Sequence, residues 1–257
     1  MPNIEILNIC GLNVRSYRAG QGTPLLFLHG ASGLPVWGPF FDALADRFDV
    51  RVLEHPGFGS SDLPDWIQST ADIAMHYLDV LDELGLEALH LVGNSLGGWV
   101  ASELAVRDCA RLASLTLISP AGTRPPSPPP GNSFNWGPQE TVQKLFFDQG
   151  LVQQILSRPP TPEEAALMAR SRAMAERLGK DSTWLNPTLA HWLRRIDVPT
   201  QIIWGSNDNL FPASYAAFWG AHIPGSKVAI INEAGHLPHA EKAAQTSACI
   251  IDAILSR

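Results

Sequence analysis

A serine hydroxyl becomes a useful nucleophile in neutral water only when a base takes its proton and a third group orients that base. This chain carries those three parts on three separate loops. Gly93-Asn94-Ser95-Leu96-Gly97-Gly98 follows the apolar run 89–92 and precedes the helix-like stretch 99–105, so Ser95 falls on a sharp strand-to-helix turn. Gly93 and Gly97 lack side chains that would collide as the chain reverses, and the helix N-terminus favours negative charge beside the serine. Asp208 lies in Gly205-Ser206-Asn207-Asp208-Asn209 after the apolar run 200–204, and His236 lies in Gly235-His236-Leu237-Pro238-His239 after the run 228–231. All three sit where a strand ends, the edge at which open α/β sheets gather reacting groups. The chemistry implied is attack by Ser95 on a carbonyl carbon, with His236 as base and Asp208 orienting the imidazole. Taken singly, Asp208 reads equally well as a turn residue and His236 as a satisfied histidine. Their joint order along the chain selects the catalytic reading.

Such residues need one sheet to bring them to a common rim. Apolar runs at 25–28, 50–53, 89–92, 115–118, 200–204 and 228–231 mostly lack alternation, as parallel strands covered on both faces do. Runs 4–9 and 12–18, split at Gly11, predict a hairpin. Ser69 and Asp72 make a capping box ahead of the stripe Ile73, Tyr77, Val80, Leu81 and Leu84, which stops at Gly85. Ile250, Ile251, Ile254 and Leu255 mark a final helix. The expected fold class is α/β, with a mostly parallel eight-stranded sheet and helices on both faces. One gap is too long: about eighty residues separate the runs ending at 118 and starting at 200, where a crossover needs a dozen or so. It opens on the proline-rich stretch 123–131, read as a stiff linker, and contains a helix start at Thr161, Pro162 and Glu164. A helical cap is therefore expected at 122–190, inserted into a core domain of 1–121 and 191–257. Phe134, Trp136, Phe146, Phe147, Trp184 and Trp192 are expected to give it an apolar underside or its own small core.

Composition narrows the classes. The 257 residues are 45% hydrophobic and 17% charged, with a net charge of −7 and no basic stripe, so neither nucleic acid nor an anionic membrane is an expected partner. Cys10, Cys109 and Cys249 are odd in number and far apart, which suggests reduced, mostly buried thiols. No signal-peptide pattern and no apolar run near ~20 residues is present, and the expected location is cytoplasmic. His239 and Glu241 flank His236 without an H-E-x-x-H pattern, so no metal is expected, and no glycine-rich phosphate loop follows a strand. His55, His76, His90, His191 and His222 show no partner pattern.

On these residues the chain resembles the α/β-hydrolase superfamily over essentially its whole length. Besides the turn at Ser95 and the order Ser95, Asp208, His236, the stretch Phe27-Leu28-His29-Gly30-Ala31-Ser32-Gly33 is similar to that family's HG loop. Pro56-Gly57-Phe58-Gly59-Ser60-Ser61 is similar to its turn after the fourth strand, with Glu54 where the family more often has aspartate. The resemblance implies an oxyanion hole from the backbone N–H groups of Ala31 and Leu96, each such donor worth about 3 kcal/mol. It also suggests substrate contacts at His29, Trp136, Phe146, Trp184 and Leu237, with Phe58 a candidate pocket wall and His29 also readable as a buried, turn-shaping residue. Serine at the turn, rather than aspartate, implies acyl transfer to water. The expected activity is cleavage of a small or medium apolar carboxylic ester through an acyl-enzyme on Ser95. No cofactor is implied, and the ester and water are the expected partners. One alternative is a carbon–carbon bond hydrolase of aromatic ring-cleavage products. Those enzymes commonly carry tryptophan where this chain has Leu237, and a basic cap residue for which Arg158, Arg170, Arg172 and Arg177 are candidates. The other alternative is a non-catalytic small-molecule receptor on the same fold.

Overall fold

Unbroken apolar runs become strands where helices can cover both faces of a sheet. In the computed structural model, which describes Met1–Ser256, eight strands form one sheet. They are β1 (Asn3–Ile9), β2 (Leu12–Ala19), β3 (Pro24–Leu28), β4 (Asp49–Leu53), β5 (Leu89–Asn94), β6 (Leu112–Ile118), β7 (Thr200–Gly205) and β8 (Lys227–Ile231). The spatial order is β1-β2-β4-β3-β5-β6-β7-β8. The hairpin β1–β2 and the β2–β4 pair are antiparallel and every other pair is parallel. The chain runs outward from β3 to β4 and then returns to β5 on the other side of β3. That reversal makes a switch point at the C-terminal ends of β3 and β5, where a crevice opens.

The helices follow from the same pattern. The first three are α1 (Pro39–Ala45), α2 (Thr70–Glu83) and α3 (Leu96–Ala105). Four more, α4 (Pro138–Leu145), α5 (Gln149–Ser157), α6 (Pro162–Gly179) and α7 (Leu189–Trp192), lie between β6 and β7. The last are α8 (Tyr215–His222), α9 (Pro238–Glu241) and α10 (Ala243–Leu255). Both predicted capping boxes form: Ser69 with Asp72 opens α2, and Thr161 with Glu164 opens α6. The pleat sends alternate strand residues to opposite faces. Leu26, Leu28, Leu91 and Ile202 join the core under α2, α3 and α8, while Leu25, Phe27, Val92 and Ile203 join the core under α1 and α10. Each such buried side chain is worth about 1.5–3 kcal/mol.

The segment between β6 and β7 closes at its base, where Gly122 bridges Leu185 and donates its N–H to the Trp184 carbonyl at 3.0 Å. It rests on the loops that leave the sheet. The Ser171 hydroxyl accepts the Gly59 N–H at 3.1 Å, and the Arg170 guanidinium donates to the carbonyls of Gly59 and Ser61. The expected apolar underside is only partly realised. Phe147 and Trp192 are 40% and 43% exposed. Phe147 turns its main-chain amide inward, which leaves the ring outside, and Trp192 closes α7 beneath the Arg194 guanidinium. The expectation of mostly buried thiols also fails, since Cys109 and Cys249 are only half-buried and Cys10 is exposed. It occupies the β1–β2 turn at φ +47° beside Gly11 at +86°, a two-residue turn that faces solvent. Among the described residues no helix is long and apolar enough to cross a membrane.

Candidate active site

The turn after β5 is possible because three glycines remove side chains at its crowded points. A Cβ on Gly97 would run into the Leu28 carbonyl, one on Gly93 into Gly97, and one on Gly98 would lie 2.8 Å from Pro120. Ser95 itself adopts φ +54° and ψ −116°, a conformation costing about 1–3 kcal/mol outside glycine. Neighbouring hydrogen bonds hold it there. The Ser95 N–H donates to the Ile118 carbonyl at 2.9 Å, and the Ser95 carbonyl accepts from Ala121 at 3.0 Å and Trp99 at 3.1 Å. Strain at one residue is thus secured by β6 and α3.

The three side chains singled out from the sequence meet. His236 Nε2 lies 2.8 Å from Ser95 Oγ, and His236 Nδ1 lies 2.8 Å from Asp208 Oδ2. The remaining oxygen of Asp208 accepts the N–H groups of Leu210 at 2.8 Å and Phe211 at 2.9 Å, which fixes the carboxylate. Phe211 then places its ring edge-on to the imidazole, 5.2 Å between centroids. With Nδ1–H donated to Asp208, Nε2 presents its lone pair to the serine O–H. All three are buried, so water competes weakly for these bonds.

The loop after β3 passes over the serine. A Cβ on Gly30 would lie 3.4 Å from Ser95 Cβ and 3.0 Å from Asn94 Oδ1. Among the described residues neither the Ala31 nor the Leu96 N–H donates to a protein acceptor, and the Leu96 group is an unpaired donor of the first turn of α3. Free amides of this kind near a nucleophile are the donors an oxyanion needs. His29 is built into this loop. It is 1% exposed, donates Nδ1–H to the Gly30 carbonyl at 2.7 Å, and accepts the His55 N–H on Nε2 at 2.9 Å. His55 stacks on it at 3.8 Å, donates Nε2–H to the His29 carbonyl, and accepts the Tyr77 O–H on Nδ1. Burial holds the His29 pKa down to about 4 and drives that of His55 well below its ordinary value. Phe58 is fully buried with its ring edge-on to both.

Trp184 lies within the segment between β6 and β7. It is buried, stacks on Phe134 at 4.8 Å and donates its indole N–H to the Ser133 hydroxyl, so it anchors the inserted segment. Trp136, Phe146 and Leu237 are half-buried against the main core. Three of the four basic candidates are committed elsewhere. Arg158 pairs with Glu164, Arg170 serves the loop after β4, and Arg172 holds Glu176 and the carbonyls of Ser133 and Phe134. Arg177 is exposed. Two contributors escaped the sequence reading: His55, which braces the loop after β3, and Glu241, which accepts the N–H of Gly235 beside His236. Both act through backbone groups, which leave no mark on residue type. Among the described residues no group of three or more His, Cys, Asp or Glu side chains has metal-holding geometry.

Comparison with known proteins adds independent findings. Residues 23–243 match the family described as the alpha/beta hydrolase fold. Over 93% of its length the chain is 31% identical to the dihydrolipoyllysine-residue acetyltransferase component of the acetoin cleaving system of Cupriavidus necator, of which it spans 66%, just under two thirds. Over 88% of its length it is 29% identical to a pimeloyl-acyl-carrier-protein methyl ester esterase of Aeromonas hydrophila, covering 93% of that protein. A solved meta-cleavage product hydrolase superposes with a TM-score of 0.82 over 98% of both chains at 20% identity, a likeness of fold.

Proposed function

Because the chain belongs to the alpha/beta hydrolase fold family, we propose that it cleaves carboxylic esters of small or medium apolar substrates through an acyl-enzyme on Ser95. The observation that carries this reading is the unbroken line from Asp208 through His236 to Ser95, with both links at 2.8 Å. His236 takes the serine proton as Oγ attacks the carbonyl carbon, and the Ala31 and Leu96 amides receive the oxyanion. His236 then passes the proton to the departing alkoxide. Water attacks the acyl-enzyme by the same route, giving the free acid and restoring the serine.

Ester cleavage is favoured over carbon–carbon cleavage by the state of the basic side chains. A ring-cleavage product carries a carboxylate to be gripped, yet Arg158, Arg170 and Arg172 are spent on protein partners and Arg177 stands exposed. The likeness to a methyl ester esterase supports the same preference. The three unpaired cysteines support a reducing, cytoplasmic location, which fractionation of cells expressing the protein would test. The decisive experiment is labelling with a fluorophosphonate, beside hydrolysis of an aryl ester and of a vinylogous 1,5-diketone acid. The expected result is a label on Ser95, ester turnover that disappears in Ser95→Ala, and slower diketone cleavage. Well-folded protein that takes no label would support a receptor instead, and faster diketone turnover would reverse the substrate assignment.

A further inference from the structure

One carboxylate outside the three aligned side chains gathers an unusual set of donors. Glu241 closes α9, five residues after His236. Its Oε1 accepts the N–H of Phe147 at 2.6 Å and of Asp148 at 2.8 Å, and its Oε2 accepts the N–H of Gly235. The first two donors join α4 to α5 within the inserted segment, while the third belongs to the residue immediately before the histidine. A second link runs beside them, in which the His236 N–H donates to the Leu145 carbonyl at 2.8 Å. The contact leaves no room for a side chain, because a Cβ on Gly235 would run into the Leu145 carbonyl and lie 3.0 Å from the Phe147 nitrogen. The stretch 145–148 therefore packs backbone to backbone against the loop that carries the imidazole. Asp208 holds the ring; this strap holds the main chain beneath it.

Building on the serine-hydrolase reading, we infer that Glu241 is a positioning residue for His236. It fastens the 145–148 strap to the histidine loop and so keeps Nε2 within reach of Ser95 Oγ. An ionised carboxylate suits three N–H donors because it only accepts. Glutamine of the same shape turns an NH₂ toward one of those N–H groups, and the strap loses its fastening on that side. A displacement of about 1 Å at a reacting group can cost a hundredfold in rate. The loss should fall on acylation and leave ester binding alone.

The test is the rate at which a fluorophosphonate labels Ser95, with aryl-ester kinetics, in the wild type, Glu241→Gln, His236→Ala and the double variant. Glu241→Gln should label about 10- to 100-fold more slowly, with KM changed less than about twofold. In the His236→Ala background the same substitution should cost nothing further, because residues that act as a unit are non-additive. An unimpaired Glu241→Gln, or an equal loss in both backgrounds, would overturn the inference. Should Glu241→Gln fail to fold, hydrogen exchange in the wild type decides the matter. The amides of Phe147, Asp148 and Gly235 should exchange together through one opening, and independent exchange overturns the strap. A wild-type protein that takes no label removes the serine-hydrolase reading and this inference with it. A labelled wild type beside an equally fast Glu241→Gln removes this inference alone.

Discussion

Replacing His76 by leucine should make the protein less sensitive to acid. His76 lies on α2, is 1% exposed, and has no hydrogen-bond partner for either ring nitrogen among the described residues. Burial lowers its pKa from 6.5 to about 4. The unfolded chain therefore takes up a proton near pH 6.5 that the native protein refuses until near pH 4. The stability that neutral His76 allows is complete above 6.5 and is lost as the pH falls from there toward 4. For one site with those two values, the loss between pH 7 and pH 5 is about 1.8 kcal/mol. Leucine breaks no hydrogen bond there and removes an unsatisfied imidazole, so the variant should be at least as stable at pH 7. Its advantage should then widen by about 1.8 kcal/mol at pH 5. Urea unfolding at pH 7, 6 and 5 measures this directly, provided the m-value stays constant. Burial lowers the pKa of His29 to about 4 and of His239 to about 3, but both proteins share these groups and they cancel in the difference. Parallel stability curves across that range would refute the reasoning, since His76 would then titrate alike in both states.

Two further outcomes follow from named contacts. Asp208→Asn keeps an oxygen for the amides of Leu210 and Phe211 but turns an NH₂ toward His236 Nδ1, which forces the hydrogen onto Nε2. Ester turnover should fall about 10³–10⁴-fold with an unchanged far-UV spectrum, and a loss under tenfold would contradict the tautomer argument. Gly97→Ala pushes a methyl group into the Leu28 carbonyl, where only backbone can yield. It should cost at least ~3 kcal/mol or prevent folding, and a wild-type melting temperature would show that the turn is looser than described.

Much of this protein was legible in residue order because the relevant signals are local. The apolar runs that became β3 and β5 to β7 report burial on two faces, and no neighbouring element is needed to recognise them, whereas the run of β8 became an edge strand with Val228 and Ile230 exposed. Ser69 with Asp72 and Thr161 with Glu164 satisfy helix ends within a single turn. Ser95, Asp208 and His236 were identifiable since each follows a strand, and parallel strands deliver their ends to one edge. The aromatic residues were less legible. Trp184 and Phe134 stack on each other while Phe147 and Trp192 face solvent, although all four are large and apolar. Residue type gives only a tendency to be buried, and the path of the backbone determines which rings find cover.

The sequence by itself determined the α/β architecture and singled out the three side chains that meet at the candidate site, because periodicity and strand-end position are properties of neighbouring residues. Tertiary structure alone decided that His29 leans on His55 and that Glu241 ties the histidine loop to residues 147 and 148. Those partners are backbone N–H groups, which every residue except proline carries, brought together across as many as 94 positions of chain. No pattern of side chains announces such a bond, and only the folded path brings its two ends within reach.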